Sequence, residues 1–241
     1  MKEKVKRGDK MYNPSPLKVI KINSPADRAA ERFGTALFII LSGGFQDAYT
    51  YCVRGNVFAN AQTGNIVLLS TAAFNGNWGG VLKYLIPVSA FILGIFAAEI
   101  IHINLGKFEK FHWRQIILLA EIVILFTVGF IPENLDFLAN AEVSFVCALQ
   151  VQSFHKIRGH AYASTMCIGN LRSGTEALCT YFRTRDKAIL QKAATYFGVI
   201  LVFAIGSGLG FILSSVLGNK AVWICCGLLT VSLVAMFKIE R

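Results

Sequence analysis

The side chains that could do chemistry in this chain are few, and most stand inside apolar sequence. Gln46 and Asp47 lie in the run FGTALFIILSGGFQDAYTYCV, and Gln152 and Ser153 close the later run ALQVQS. Two Gly-Asn pairs interrupt further greasy stretches: Thr63-Gly64-Asn65 in NAQTGNIVLL and Gly169-Asn170 in MCIGNLRSG. Arg172 follows the second pair, and Glu121 sits in the middle of RQIILLAEIVILFTV. A charged or strongly polar group in such surroundings is costly, so each is a functional candidate to be weighed against a structural role.

Asp47 could bind a solute or serve proton coupling. Its structural alternative is a hydrogen bond to a facing Gly-Asn loop. Asn65 and Asn170 could cap half-helices, bind a ligand, or do both, because a capping group sits beside exposed N–H donors. Arg172 would stand at the start of a half-helix, where the dipole is already positive, and would attract an anion. It could equally pair with Glu176 four residues on. Glu121 is the candidate proton relay, or the partner of an intramembrane basic group. The substrate-binding candidates are therefore Gln46, Asp47, Thr63, Gly64, Asn65, Gln152, Ser153, Gly169, Asn170 and Arg172.

No catalytic set accompanies them. The chain has no H-E-x-x-H, no G-x-S-G and no pair of Asp in facing spans, and no enzyme is expected. Its six Cys lie in or beside apolar runs without metal-ligand spacing, where Cys behaves as a small hydrophobe. No disulfide, metal or cofactor is expected. Gly206-Ser207-Gly208-Leu209-Gly210 is no phosphate loop, because no strand precedes it and no Lys-Ser/Thr follows. With Gly94…Ala98 it reads as a small-residue helix-packing face, which could also join copies of the chain.

The elements that carry these residues follow from composition. Hydrophobic residues make up 54% of the 241 and charged residues 16%, with a mean hydropathy of +0.53; a soluble domain carries about 25% charged residues. Nine of the 24 Lys and Arg fall in residues 1–32. The pattern is that of an integral membrane protein with a basic cytoplasmic tail, set in a lipid bilayer. Basic residues ahead of a first span orient it, so they call for no nucleic acid partner. Within the tail, Ser24-Pro25-Ala26-Asp27 has the chemistry of a helix start.

Six spans are expected, at residues 33–53, 81–105, 115–131, 137–155, 193–217 and 221–237. The segments 57–74 and 161–182 hold the Gly-Asn pairs, and they could either span or dip in and return. If both return, 21 of the 24 basic residues are cytoplasmic, leaving only Arg54, Lys83 and Lys220 outside. If both span, the bias disappears beyond the tail. The positive-inside rule thus favours six transmembrane helices plus two re-entrant or broken helices, in the inner membrane, with both termini cytoplasmic.

The chain also repeats. Residues 33–131 read span, GGFQDA, RGN, TGN, long span, short span; residues 132–241 read span, LQVQSF, RGH, IGN, long span, short span. Gln46 matches Gln152, Arg54-Gly55 matches Arg158-Gly159, and Gly64-Asn65 matches Gly169-Asn170. Three spans per half make this a 3+3 inverted-topology repeat, an architecture that places substrate near the midplane between broken helices. Each Gly-Asn then ends the first arm of a hairpin and starts a half-helix.

GGFQDAYTY…NVFANAQTGNIVLL and LQVQSFHKIRGH…IGNLRSGTEAL resemble the YoaK family of bacterial membrane proteins, whose domain is of unknown function. The resemblance covers roughly residues 33–237 and rests on Asp47, on Thr63-Gly64-Asn65, and on Gln152 with Gly169-Asn170-Leu171. It implies a bacterial inner-membrane protein and supplies no reaction. Two positions depart from the family pattern: Ser153 stands where Asn is usual, and Ile168 where the second Thr would be. The expected function is a transporter or channel for a small polar or anionic solute. The alternative is a regulatory or scaffold membrane protein whose polar motifs only hold broken helices together.

Overall fold

The computed structural model of the chain describes residues 32–105, 112–157, 160–162, 164–165 and 167–240. Most of the expected tail, with its Ser24–Asp27 helix start, lies outside these residues, as do Lys107, Lys110, Arg158 and Gly159.

Eight helices carry the described chain: α1 Phe33–Val53, α2 Gln62–Phe74, α3 Trp78–Leu105, α4 Trp113–Val128, α5 Asp136–Ser153, α6 Cys167–Thr184, α7 Lys187–Leu217 and α8 Trp223–Glu240. A 3-10 turn at Glu133–Leu135 precedes α5, and another at Gly218–Val222 joins α7 to α8. A two-residue antiparallel ribbon, β1 Lys156–Ile157 and β2 His160–Ala161, lies between α5 and α6. The helix starts follow local chemistry. The His112 side chain accepts from the Arg114 N–H, and the Gln115 side chain accepts from the His112 N–H, closing a capping box on α4. Asp186 caps α7 by accepting from the Ala188 N–H at 2.8 Å.

The two Gly-Asn pairs occupy equivalent places. Gly64 and Asn65 are the third and fourth residues of α2, and Gly169 and Asn170 are the third and fourth of α6. Each pair therefore begins a helix, as expected. The described chain before it is not helical: residues 54–61 form a loop, and among the described residues between α5 and α6 the ribbon is the regular structure.

The helices pack in matching pairs. α1 packs on α7 as α5 packs on α3, α2 on α3 as α6 on α7, and α1 on α8 as α5 on α4. The glycines expected to form packing faces make the first of these contacts. A Cβ on Gly206 would stand 2.2 Å from the Leu41 carbonyl oxygen, and one on Gly210 would stand 2.8 Å from that of Phe45. On the facing helix, a Cβ on Gly44 would meet the Phe203 carbonyl oxygen at 2.1 Å. Residue numbers rise together on both sides, so α1 and α7 run parallel. Gly94 packs on Phe145 and Ala148, and Glu99 pairs with Gln152, so α3 and α5 also run parallel. These glycine faces are thus occupied within the chain, while Gly208 faces open space.

The helix ends sort into shared faces. Arg54, just past the end of α1, reaches Val128 at the end of α4, and also Ile131 and Asp136, which opens α5. The Lys83 side chain, near the start of α3, lies 3.6 Å from a Cβ built on Gly55. So α1 and α4 end where α3 and α5 begin. Two stretches among the described residues are long and apolar enough to cross a membrane by length and hydropathy alone: Trp78–Leu105, and the continuous Lys187–Lys238 covering α7 and α8. The shorter α4 and the polar-interrupted α1 and α5 do not reach that measure.

The bundle sets polar side chains within an apolar core and exposes large apolar ones. Gln46, Asn65, Glu121, Ser144 and Gln150 are fully buried, while Phe74, Phe96, Phe211 and Val216 are 62% or more exposed. Apolar side chains outside and polar side chains inside suit lipid as the surrounding solvent.

Candidate functional site

The loop after α1 turns back into the bundle. Gly55 and Asn56 take positive φ values of 81° and 59°, a conformation that Gly and Asn tolerate best. Asn65 then laces the loop to the start of α2. Its Oδ1 accepts from the Phe58 N–H at 3.1 Å, while its Nδ2 donates to the Phe58 carbonyl at 2.7 Å and to Gln62 Oε1 at 2.9 Å. This places Asn60 against the middle of α1. The Asn60 N–H donates to Asp47 Oδ1 at 2.7 Å, and its side-chain Nδ2 donates to the Gly43 carbonyl at 3.1 Å. The amides of Ala59 and Ala61 also bear on the Asp47 carboxylate. The Asp47 carboxylate is thus held by backbone amides of the loop that leads into α2.

The second half meets the same face of α1. Gln150 Nε2 donates to the Ile39 carbonyl at 3.0 Å, one turn before Gly43. Counted along their helices, Asp47 and Gln150 are each the fifteenth residue. Thr165 comes from the loop before α6. Its Cγ2 lies 2.5 Å from a Cβ built on Gly43, and the Gln150 Nε2 lies 3.2 Å from it. Gly43 is therefore the hub where both loops meet α1, and any side chain there would displace Thr165. Four oxygens from these segments are buried without a hydrogen-bond partner: Asn60 Oδ1, Gln150 Oε1, Ser164 Oγ and Thr165 Oγ1. With the Asp47 carboxylate they form a centre rich in acceptors. Such a centre can take hydrogen bonds from a donor-bearing solute or ligate a hard cation.

The other expected residues are placed variously. Gln46 is buried, but it donates to Ser42 Oγ at 2.9 Å and accepts from Cys147 Sγ at 3.0 Å, facing α5 and not a Gly-Asn loop. Cys147 lies within electrostatic reach of both Asp47 and Glu121. Both Glu121 carboxylate oxygens are buried with no partner, an arrangement costly for a purely structural residue. Gln152 bonds Glu99 across α5 and α3. The Ser153 carbonyl accepts from Arg114 Nε at 2.9 Å, while its own hydroxyl is buried and unpartnered. Asn170 is buried, Gly64 is half-buried, and Thr63 and Gly169 are exposed. Ile168, the position that departs from the family pattern, is also exposed, so the missing hydroxyl does not touch this centre.

Arg172 is not brought to the others. Its side chain is 80% exposed and pairs with Glu176 at 2.9 Å, the structural alternative for that residue.

Sequence reasoning overlooked Arg54, Asn60, Gln150 and Thr165. Arg54 was counted as an outside charge, yet it is fully buried. Its Nε donates to Tyr49 Oη at 2.8 Å, Nη1 to the Ile131 carbonyl and Asp136 Oδ1 at 2.9 Å each, and Nη2 to the Val128 carbonyl at 3.0 Å. It satisfies carbonyls at and beyond the end of α4, where a cation suits the dipole. The repeated Arg-Gly dipeptide was its signal. For Gln150 the signal was its place as a polar residue inside an apolar span.

Comparison with known proteins places this arrangement in a family. The family described as "Protein of unknown function (DUF1275)" matches residues 35–235. The UPF0700 transmembrane protein YoaK of Bacillus subtilis (strain 168) is 26% identical over 191 residues, covering 74% of this chain and 82% of the relative. No solved structure matches.

Proposed function

The chain belongs to the DUF1275 family, and on that premise we propose that it is an inner-membrane protein that moves a small polar solute through the centre of its helix bundle. Six helices (α1, α3, α4, α5, α7 and α8) cross the bilayer. The segments 54–74 and 154–184 enter from opposite faces and return, making a 3+3 inverted repeat. Three observations support this topology: the exchangeable packing pairs, the parallel courses of α1 with α7 and α3 with α5, and the end of α1 meeting the start of α5 through Arg54 and Asp136. Both termini are then cytoplasmic, and 21 of the 24 basic residues face the cytoplasm.

One observation carries the transport reading. Four buried, unpartnered oxygens and a carboxylate gather where two non-helical loops meet α1 at Gly43. Non-helical backbone at membrane depth has to be shielded by protein or line a cavity, and transporters place their sites at such breaks. A donor-bearing polar solute suits the centre better than an anion does. The Asp47 carboxylate already faces the amides of the loop that leads into α2, and Arg172 lies outside the cluster. Glu121, linked to the centre through Cys147, is the proposed proton relay. The rival reading, a scaffold without transport, draws on Asn65, whose side chain is spent on its own loop.

Thermal unfolding of the purified full-length protein, measured against a panel of neutral, zwitterionic and anionic solutes, separates the two. Transport predicts saturable stabilisation by at least one polar solute, reduced by Asp47→Asn. A panel that leaves the unfolding midpoint unmoved throughout supports the scaffold.

A further inference from the structure

We propose that the junction at Gly43 is a binding site for a monovalent metal cation of the sodium class, held by Asp47, Asn60, Gln150, Ser164 and Thr165. This deepens the transport reading by naming its coupling ion, and it rests on that reading of the same centre.

The orientation of the two amides is fixed by their neighbours. Asn60 Nδ2 donates to the Gly43 carbonyl and Gln150 Nε2 to the Ile39 carbonyl, so neither amide can turn its nitrogen inward. Both amide oxygens therefore face away from the α1 backbone, buried and unpartnered, as are the hydroxyls of Ser164 and Thr165. Asn60, Gln150 and Thr165 each approach Gly43, and Ser164 is the chain neighbour of Thr165; native structures leave few such groups unsatisfied, and a bound ion is the common partner that would satisfy them. Asp47 lies one turn beyond Gly43 on the same face of α1. Its Oδ1 accepts from the Asn60 N–H, and the Ala59 and Ala61 amides also bear on the carboxylate, which holds it in place beside the two loops.

The donor set selects the ion. All five groups are hard oxygen ligands, the kind that bind alkali and alkaline-earth cations. Among the described residues no group of three or more His, Cys, Asp or Glu could hold a metal ion, which argues against a transition metal. The set carries one negative charge, which a monovalent ion balances. A divalent ion would leave a net charge in a low-dielectric interior. The nearest basic residue at the end of α1, Arg54, is already matched by Asp136 and two carbonyls.

The ligands also come from both halves: Asp47 and Asn60 from the first, Gln150, Ser164 and Thr165 from the second. An ion there ties the two loops together across α1. Occupancy then favours the packed junction over any arrangement in which the loops separate, which is the coupling a transporter needs.

The test is thermal unfolding of the full-length protein in detergent, titrated with sodium, lithium, potassium or N-methyl-D-glucamine chloride at matched ionic strength. Sodium should raise the midpoint saturably, and N-methyl-D-glucamine should not. Asp47→Asn keeps an acceptor for the Asn60 N–H but removes the charge, and it should weaken apparent sodium affinity at least about tenfold. Thr165→Val is isosteric, lacks one oxygen, and should weaken it several-fold, so it carries the test if Asp47→Asn does not purify. Arg183→Gln, on the exposed end of α6, should bind sodium as the parent does. No sodium effect beyond that of N-methyl-D-glucamine, or unchanged affinity in both site variants, overturns the proposal. Solute stabilisation that is equal in sodium and N-methyl-D-glucamine also overturns it while leaving transport standing. Sodium stabilisation without any stabilising solute supports the site and removes transport.

Discussion

Replacing Arg54 by Met tests whether a buried cation locks one end of this bundle. The side chain is fully buried and makes four hydrogen bonds, to Tyr49, Asp136 and the carbonyls of Val128 and Ile131. Met keeps most of the volume and removes every donor. Two carbonyls near the end of α4 then lose their partner, and Asp136 loses its counter-charge. Removing one member of a buried charged pair costs about 3–5 kcal/mol, largely because its partners are left unpaired. For a chain of this size, about 2–4 °C per kcal/mol converts that to a fall of about 6–20 °C in unfolding midpoint. Asp136→Asn should cost less, about 1 kcal/mol, because Asp136 is 27% exposed and Arg54 keeps three other acceptors. The assay is detergent-solubilised thermal unfolding of the three proteins side by side. A fall below about 3 °C for Arg54→Met, or a larger fall for Asp136→Asn, would refute the reasoning.

Three further outcomes follow from the same geometry. Gly44→Ala should destabilise by about 1–3 kcal/mol, because its Cβ would meet the Phe203 backbone and neither helix can yield without moving; unfolding midpoints check it. Arg172→Gln should leave folding and every solute response unchanged, since a solvent-exposed i,i+4 ion pair is screened and contributes little to stability; loss of anion-dependent stabilisation in that variant would restore Arg172 to the site. Single cysteines placed at Gly76 and Asn134 in a cysteine-free chain should label from outside, and one at Phe108 from inside. Outside labelling at Phe108 would contradict six crossings.

The helices were legible because hydropathy and small-residue spacing report burial directly. The first expected span, 33–53, coincides with α1, and the Gly206–Gly210 face packs on α1 as its spacing suggested. Depth was not legible. Arg54 stands at the end of an expected span, where a basic residue normally reaches the interface, and the approach of α4 and α5 buries it. The pairing of the two halves was read by matching Gln46 with Gln152. In the structure the two are engaged differently, Gln46 with Ser42 and Cys147 and Gln152 with Glu99, because neighbours across helices are not marked in the sequence. Arg172 illustrates the same limit: its place near a helix start was right, but the face of α6 it occupies depends on how α6 lies against α7. Ser164 and Thr165 carried no signal alone, since hydroxyls in a loop are ordinary until a glycine such as Gly43 lets them close on a buried helix.

The central claim is that a polar solute passes through the centre at Asp47. Its most direct test is uptake into proteoliposomes holding the full-length protein, using whichever solute stabilises the purified chain. The account predicts saturable uptake above that of empty liposomes, slowed at least about tenfold by Asp47→Asn with equal protein inserted. Uptake no faster than in empty liposomes, or at an unchanged rate in Asp47→Asn, would contradict it.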